Sequence, residues 1–281
     1  MSQPMNPGRL SLCATPIGNL EDISLRALRT LREADVIAAE DTRVSRKLLN
    51  HFKIKKPLIS YYEQNKGLRE QVLLDLLLEG KNLALVSDAG TPAVSDPGQD
   101  LVRAAVAQGI EVVVIPGASA MLTALVGSSL DTSRFCFEGF LPREKSERRA
   151  RLSDLASEQR TMIFYEAPHR LKPVLADMLA AWGGDRPISV GRELTKIHEE
   201  MIRCTLGELH ALYEQQDPRG EYVLVVAGAP EPMAEEADPE QIEQELNAMM
   251  ADGLPRKEAA RILAERYGLK VRDVYQMGLN N

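Results

Sequence analysis

The chain has 281 residues, of which 44% are hydrophobic and 27% charged, proportions that are ordinary for a globular protein. No apolar run approaches the ~18 residues of a membrane-spanning helix, and the amino-terminal segment lacks the apolar core of a signal peptide. The three cysteines are far apart and no HExxH pattern is present, which argues against a metal site. These features predict a cytoplasmic chain with no membrane segment and no metal.

The net charge of −7 by itself argues against a nucleic-acid partner, but the distribution of charge weakens that argument. Residues 231–245 hold seven acidic residues and no base, which accounts for the whole excess. Residues 43–56 carry six bases and no acid, and residues 143–151 carry five bases against two acids. Each basic run is either a solvated helix face or a contact for a polyanion, and the sequence leaves both open.

Segments of strand and helix character alternate along the first part of the chain. In one predicted helix, Leu25, Leu28 and Leu31 recur on one face, and Ser24 is placed to cap its amino terminus. The alternation predicts strands at 10–16, 35–41, 57–62, 82–88 and 111–117, and helices at 24–34, 42–52, 67–80, 97–109 and 118–129. This order is typical of a largely parallel sheet that is covered by helices.

After a break near residues 127–133 the alternation resumes. It predicts strands at 135–140, 161–167, 187–194 and 221–228, helices at 144–158, 168–182 and 205–216, and a polar connection at 195–204. Three short helices follow at 239–253, 255–268 and 271–279, the last two joined as in helix-turn-helix units. This tail is either a packing appendage or a nucleic-acid contact, since residues 256–272 carry six bases against two acids. The predicted organisation is an α/β domain at 1–130, a second α/β domain at 131–229, an acidic linker at 230–238 and a helical domain at 239–281.

Loops rich in Gly, Pro and Asp follow the predicted strands. In the first domain they are TPIGNLEDIS (15–24), AEDTR (39–43), SDAGTPAVSDPG (87–98) and PGASA (116–120). Because the carboxyl ends of parallel strands meet at one edge of a sheet, we expect these loops to converge on a cleft. FYEAPHR (164–170) and GRELTK (191–196) end strands of the second domain and bring charged groups to the opposite wall. Neither GxxxxGK[ST] nor an early GxGxxG is present, which disfavours a nucleotide triphosphatase or an ordinary dinucleotide-binding domain.

With EGFLPR, these loops occur in an order and spacing that resemble the tetrapyrrole methylase superfamily, in the branch that acts on small-subunit ribosomal RNA. The resemblance covers residues 10–229 densely, and residues 239–281 are similar to the helical domain of that branch. It implies two α/β domains with mostly parallel or mixed sheets and an active-site cleft between them. It also implies a homodimer that uses S-adenosylmethionine, yields S-adenosylhomocysteine and needs no metal.

The resemblance implies a set of cofactor-binding residues. Gly90 and Gly98 would let the backbone approach the ligand, and Pro92 and Pro97 would hold the shape of the loop. The implied set is Asp88, Gly90, Thr91, Val94, Ser95, Pro116, Gly117, Ser119 and Ala120, with Tyr165 and Leu194 from the second domain.

The implied reaction is methylation of the ribose 2′-hydroxyl of a cytidine in the decoding region of 16S ribosomal RNA. Alignment of the reactants contributes on the order of 7–11 kcal/mol to such a transfer, and a base or cation beside the hydroxyl about 10²–10⁴-fold in rate. Lys196 is either a base with a lowered pKa or a cation that stabilises the alkoxide, and the sequence does not choose. The candidate catalytic residues are Lys196, Glu40, Arg43, Glu166 and His169, each of which has an ordinary ion pair as its alternative.

The implied partner is 16S ribosomal RNA within the 30S subunit. Its phosphates are assigned to basic residues of the loops and helices: Arg43, Arg46, Lys47, Arg143 and Arg170. Two other functions stay open, namely methylation of a small macrocycle on the same scaffold and a non-catalytic role in ribosome assembly. The helical tail and the SDAGTP loop argue against the macrocycle.

Overall fold

Two five-stranded sheets with different connectivity form the framework of the chain. The computed structural model describes residues 6–63, 66–230 and 238–277. It divides the chain into a unit at 1–229 and a unit at 230–281. Residues 231–237 of the predicted linker and the last part of the predicted helix at 271–279 lie outside the described residues.

The first sheet is entirely parallel, with the strand order β3-β2-β4-β1-β5. Its strands are β1 (Arg9–Cys13), β2 (Val36–Ala39), β3 (Leu58–Ser60), β4 (Leu83–Val86) and β5 (Glu111–Ile115). Its helices are α1 (Leu25–Glu33), α2 (Thr42–His51), α3 (Lys66–Leu78), α4 (Gln99–Ala107) and α5 (Ala120–Gly127). The predicted cap of α1 is confirmed, since the amide of Ala27 donates to Ser24 Oγ at 3.0 Å.

Strand residues alternate between two apolar layers on the faces of this sheet. Leu83 and Leu85 face the layer that contains α3 and α4, whereas Ala84 and Val86 face the layer that contains α1 and α2. Burial on both faces explains why these strands are continuous apolar runs. The arrangement sends the helices that follow β1 and β4 to opposite faces.

The second sheet is mixed, with the order β6-β7-β10-β8-β9. Its strands are β6 (Phe135–Phe140), β7 (Thr161–Glu166), β8 (Pro187–Arg192), β9 (Glu200–Thr205) and β10 (Tyr222–Val226). Strands β6 and β7 are parallel, and the other neighbours are antiparallel. Helices α6 (Lys145–Asp154), α7 (Pro168–Trp182) and α8 (Leu206–Gln215) pack on one face through a large apolar core.

The prediction of a polar connection at 195–204 is wrong for its second half, which forms β9. This edge strand pairs with β8, and its Glu200 and Arg203 are exposed while its other four residues are half-buried. An edge strand has one covered side and tolerates charge, so it lacks the continuous apolar run by which the other strands are recognised.

Helix α5 covers the second face of the mixed sheet, although the sequence assigns it to the first domain. Its Ala124 and Leu125 share a core with Ile163, Val223 and Val225. On β7, Ile163 and Tyr165 therefore face α5, while Met162 and Phe164 face α7. The strand alternation thus turns Tyr165 toward the end of the first sheet.

The unit at 230–281 contains helices α9 (Pro239–Ala251), α10 (Arg256–Arg266) and α11 (Val271–Gln276). Asp238 caps α9, since its Oδ1 accepts a hydrogen bond from the amide of Glu240 at 3.3 Å. Leu246, Leu263 and Val274 join the three helices in a small core of their own. The two sheets with their covering helices, together with the helical unit at 230–281, confirm the predicted fold class.

Candidate active site

A cavity of about 660 Å³ lies where the carboxyl edge of the first sheet meets the second sheet. Strands β1 and β4 are neighbours in the sheet, and their following helices leave to opposite faces, so the loops after them diverge. Open α/β sheets bind ligands at this kind of crevice. The volume lies within the ~300–1,000 Å³ of small-molecule sites.

Backbone hydrogen bonds hold the loop after β4 against the loops after β1 and β5. Thr15 and Gly90 form an antiparallel bridge, with N–H to O distances of 2.8 and 3.0 Å. The Thr91 hydroxyl donates to the carbonyl of Ala118 at 3.4 Å. Residues 87–98 therefore form one wall with the two neighbouring loops.

The same loop contains four residues with left-handed backbone. Gly90 and Gly98 have φ of 80° and 140°, and Ala93 and Ser95 have φ of 68° and 62°. A non-glycine residue in this conformation costs of order 1–3 kcal/mol and persists where the surroundings hold it, most often at functional sites. The number of Gly and Pro residues in this stretch therefore reflects the backbone shape that the cavity wall requires.

All the residues that the sequence assigns to the cofactor lie together in the lining of this cavity. From the first sheet these are Asp88, Gly90, Thr91, Val94, Ser95, Pro116, Gly117, Ser119 and Ala120, and from the second Tyr165 and Leu194. Gly117 is closely packed, because a Cβ there would lie 2.8 Å from the Cβ of Ala14. Their role in binding is a prediction that rests on this shared location.

Three carboxylates of the first sheet share one part of the lining: Glu40, Asp88 and Asp96. Asp88 is fixed in place, since its Oδ1 accepts a hydrogen bond from the amide of Asp41 at 3.0 Å. Burial raises the pKa of Glu40 and of Asp88, and burial with the nearby charge of Glu40 raises that of Asp96 to about 6. A cation in the cavity would offset this accumulation of negative charge.

Lys196 belongs to the opposite wall, at the end of a loop after β8. Its Nζ donates to Glu193 Oε1 and to Glu221 Oε2, both at 2.8 Å. Burial by itself lowers the pKa of Lys196, but these two hydrogen bonds outweigh it and raise the pKa above its ordinary value. Of the two roles that the sequence left open, the geometry supports the cation.

Glu166 lines the cavity with a side chain that is almost fully buried, whereas His169 is exposed and lies outside the lining. Glu166 Oε1 accepts a hydrogen bond from the amide of Ala167 at 2.9 Å and lies 3.4 Å from Arg170 Nε. Arg170 also donates to the carbonyls of Leu141 and Pro142. The guanidinium of Arg170 is thus occupied within the fold, away from the solvent face assigned to RNA.

The other basic candidates are on the surface. Arg43 has a side chain that is 87% exposed, and it pairs with Asp41 at 2.6 Å, which lowers the pKa of Asp41 to about 2. Arg46 and Lys47 are exposed on the same helix, α2, and Arg143 is exposed before α6. Arg43 is absent from the cavity lining, so these side chains are placed for a contact outside the cavity.

Two classes of site are not seen among the described residues. No group of His, Cys, Asp and Glu side chains there has an arrangement that would hold a metal ion. In the same ranges, no helix has both the length and the apolarity that crossing a membrane requires.

Several residues of the lining were not predicted from the sequence. Asp96 stands in the second Ser-Asp pair of the same loop, so the repeat was the signal that could have identified it. Glu221 had no local signal, because only the pairing of β10 with β8 brings it to Lys196. Val114, Met121 and Leu122 also line the cavity and resemble ordinary core residues in the sequence.

The family model "Tetrapyrrole (Corrin/Porphyrin) Methylases" matches residues 9–210, and the model "RsmI C-terminal HTH domain" matches residues 236–281. A curated protein of Synechocystis, named ribosomal RNA small subunit methyltransferase I, is 50% identical over 272 residues, which cover 97% of this chain and 98% of that protein. A protein of the same name from Halalkalibacterium halodurans is 48% identical over 277 residues, 96% of this chain and 94% of that one.

A solved structure has the same fold at low sequence identity. Uroporphyrin-III C-methyltransferase from Thermus thermophilus, in complex with S-adenosylhomocysteine, superposes with a TM-score of 0.57 at 18% identity. The match covers 78% of this chain and 97% of that chain.

Proposed function

Since the chain belongs to the tetrapyrrole (corrin/porphyrin) methylase family and is a methyltransferase, we propose that it methylates the ribose 2′-hydroxyl of a cytidine in the decoding region of 16S ribosomal RNA. The observation that carries the proposal is that one cavity gathers loops of both sheets, including Asp88, Tyr165 and Lys196. Relatives that align over nearly their whole length are named for small-subunit ribosomal RNA, which favours this substrate over a macrocycle. The reaction would take place in the cytoplasm, with the ribosome.

The donor that we propose is S-adenosylmethionine, whose sulfonium supplies an activated methyl group and requires no metal. The cavity fits this molecule chemically, because its lining combines apolar side chains such as Val94 and Leu194 with the carboxylates of Glu40 and Asp88. These two carboxylates, whose pKa values are raised by burial, favour a positively charged ligand. The backbone of residues 88–95 and 116–120 would hold the donor.

Lys196 would stabilise the negative charge that develops on the ribose oxygen. Glu193 and Glu221 hold its ammonium group in a fixed position in the wall of the cavity. A charge that is oriented before the reaction needs no reorganisation in the transition state, which is the usual source of electrostatic catalysis.

The RNA would contact exposed bases close to the cavity mouth. Asp41 links two parts of this region: its amide donates to Asp88 in the cavity, and its carboxylate holds Arg43 at the start of α2. Arg46 and Lys47 extend the basic surface along the same helix. Arg143 belongs to the same proposal, whereas Arg170 has its partners inside the fold.

The decisive experiment is incubation of the purified protein with isotopically labelled S-adenosylmethionine and unmodified 30S subunits. Mass spectrometry of the digested RNA is expected to find one labelled 2′-O-methylcytidine. Parallel reactions with free 16S RNA and with a precorrin test the other substrates. Label in the precorrin alone would make the protein a macrocycle methylase, and donor binding without any transfer would favour an assembly factor.

We propose further that the protein is a homodimer. Helix α5 exposes Leu122 and Val126, the latter 77% exposed, and the edge strand β5 exposes Val114 beside the cavity. A second copy would remove this apolar surface from water. Light scattering is expected to give twice the chain mass for the wild type and for Leu25→Glu, an exposed leucine on α1, and a lower mass for Val126→Glu. A monomeric wild type would contradict the dimer.

A further inference from the structure

Asp96 lies in the wall of the cavity at the end of the loop after β4. Ser95 before it has left-handed backbone, and Pro97 after it has a fixed φ, so the position of the carboxylate is restrained on both sides. The Ser87 hydroxyl, which donates to the carbonyl of Ala89 at 3.4 Å, lies close to this carboxylate, and Tyr165 of β7 lies near enough to interact with its charge. Asp96 thus faces the second sheet across the space in which the reactants would meet.

The other carboxylates of the cavity are engaged differently. Asp88 accepts a backbone amide, Glu166 has a backbone amide and Arg170, and Glu221 holds Lys196. No Lys, Arg or His of the described residues forms an ion pair with Asp96, and the polar group close to its carboxylate is the uncharged hydroxyl of Ser87. A carboxylate without a cation or a backbone donor is the more basic one, because no positive charge and no backbone N–H group stabilises its charged form.

From this placement we propose that Asp96 is the general base that accepts the proton of the ribose hydroxyl during its methylation. This inference rests on the proposed function. The O–H bond breaks and its proton passes to a carboxylate oxygen of Asp96. The hydroxyl oxygen forms a bond to the methyl carbon while the S–CH₃ bond breaks. The electron pair of that bond stays on sulfur, so the cationic donor becomes a neutral thioether.

Proton uptake by Asp96 depends on the groups that face it. These are Glu40 after β2, Asp88 after β4 and Tyr165 of β7, with the Ser87 hydroxyl. Burial and the two carboxylates raise the pKa of Asp96 to about 6, near the value that suits a base at neutral pH. The rate of transfer is therefore expected to rise with pH up to about 6 and then to level off.

The test compares the wild type with Asp96→Asn, with Asp185→Asn as a control at an exposed turn. Single-turnover methylation of unmodified 30S subunits is measured from about pH 5 to about pH 8, and affinities for S-adenosylmethionine and S-adenosylhomocysteine are measured by calorimetry. Asp96→Asn is expected to slow transfer by about 10²–10⁴-fold, to lack the limb near pH 6, and to bind both ligands like the wild type. Asp185→Asn is expected to match the wild type throughout.

Each other outcome is informative. Transfer by Asp96→Asn at the wild-type rate overturns the inference. A loss of donor affinity as large as the loss of rate also overturns it, because Asp96 would then serve to hold the donor. If the variant does not fold, a wild-type rate that is independent of pH over the same range rejects the base. A wild type that binds the donor but transfers no methyl group to RNA removes the proposed function, and the inference with it.

Discussion

Gly18 lies directly against Lys196, so closely that a Cβ added at Gly18 would come within 2.5 Å of Lys196 Cγ. The same Cβ would lie 2.7 Å from Thr195 Oγ1 and 2.9 Å from the carbonyl oxygen of Leu194. The loop after β1 therefore touches the loop after β8 at the lysine of the proposed site. Since all three distances are shorter than real Cβ contacts, Gly18 fixes where Lys196 can be.

Gly18→Ala is expected to displace Lys196 and to reduce methyl transfer. Overpacking of a close contact costs about 1–3 kcal/mol, and a misplacement of ~1 Å at a reacting site costs up to about 10²-fold in rate. Single-turnover methylation of 30S subunits measures the effect. Gly67→Ala is the matched control, because a Cβ at Gly67 meets nothing within 4 Å. Equal rates of methyl transfer for the two variants would show that the contact between Gly18 and Lys196 does not affect catalysis.

Lys196→Met is expected to slow transfer and to leave the affinity for S-adenosylmethionine unchanged. The raised pKa of Lys196 keeps it cationic through neutral pH, so its removal takes away a positive charge beside the ribose oxygen. Loss of such a stabilising group costs on the order of 10²–10³-fold in kcat. Lys196→Arg retains the charge and is expected to keep part of the rate. If Lys196 were instead the base, the Lys196→Arg variant would lose all activity, and the same assay would detect this loss.

Asp88→Ala is expected to abolish binding of S-adenosylmethionine. Its carboxylate lines the cavity and accepts the amide of Asp41, so the variant loses both a ligand contact and the order of the loop. Calorimetry with the purified protein measures the affinity, and Asp185→Ala at an exposed turn controls for the substitution itself. Unchanged affinity in Asp88→Ala would exclude this loop from the donor site.

The bases of α2 are expected to contribute to RNA affinity in a salt-dependent way. The triple variant combines Arg43→Ala, Arg46→Ala and Lys47→Ala. Its slope of log K against log salt, which is negative, should become less steep by roughly 0.7–0.9 for each RNA phosphate that the variant no longer neutralises. Filter binding to 16S RNA at several salt concentrations measures the slope. The control removes Arg69 and Arg103, which lie on α3 and α4 at the opposite face of the first sheet. A slope that is equal in both variants would place the RNA elsewhere.

Asp177→Ala is expected to destabilise the unit at 1–229 severely. Asp177 on α7 pairs with Arg148 at 2.6 Å, and the two side chains are 4% and 7% exposed. Removing one partner of a buried pair leaves an uncompensated charge and costs about 3–5 kcal/mol. Urea denaturation measures the change, and Asp217→Ala, which removes an exposed pair with Lys172, is expected to have almost no effect.

The pH dependence of the same pair follows from its pKa. Burial by itself raises the pKa of Asp177, but the hydrogen bonds from Arg149 and Arg148 outweigh it and hold the pKa below its ordinary value. The contribution to stability is therefore present above about pH 4 and is lost as the pH falls through the folded-state pKa. In Asp177→Ala, the free energy of unfolding should therefore no longer show this decrease at acidic pH.

Sequence patterns predicted the elements that have a strong local signal. The cap at Ser24, the helix at 168–182 and the parallel strands of the first sheet all follow from periodicity and capping, which depend only on neighbouring residues. β9 gave no such signal, because an edge strand has one covered side and its charged residues resemble a loop. The sequence predicted the helix α5, but its local pattern did not indicate that this helix packs on the second sheet.

The order of the Gly- and Pro-rich loops along the sequence was sufficient to predict a cleft, and the family resemblance implied many of the residues that line it, although not Asp96 or Val114. Neither could determine which carboxylate has no cation beside it, which lysine is held between two glutamates, or which arginine is turned inward. Those properties depend on burial and on partners that are distant in the chain, such as Glu221 beside Lys196 and Leu141 beside Arg170. The sequence therefore determined the fold and the place of the site, while only the tertiary structure decided the charge state of its side chains, because a pKa depends on surroundings that local patterns do not contain.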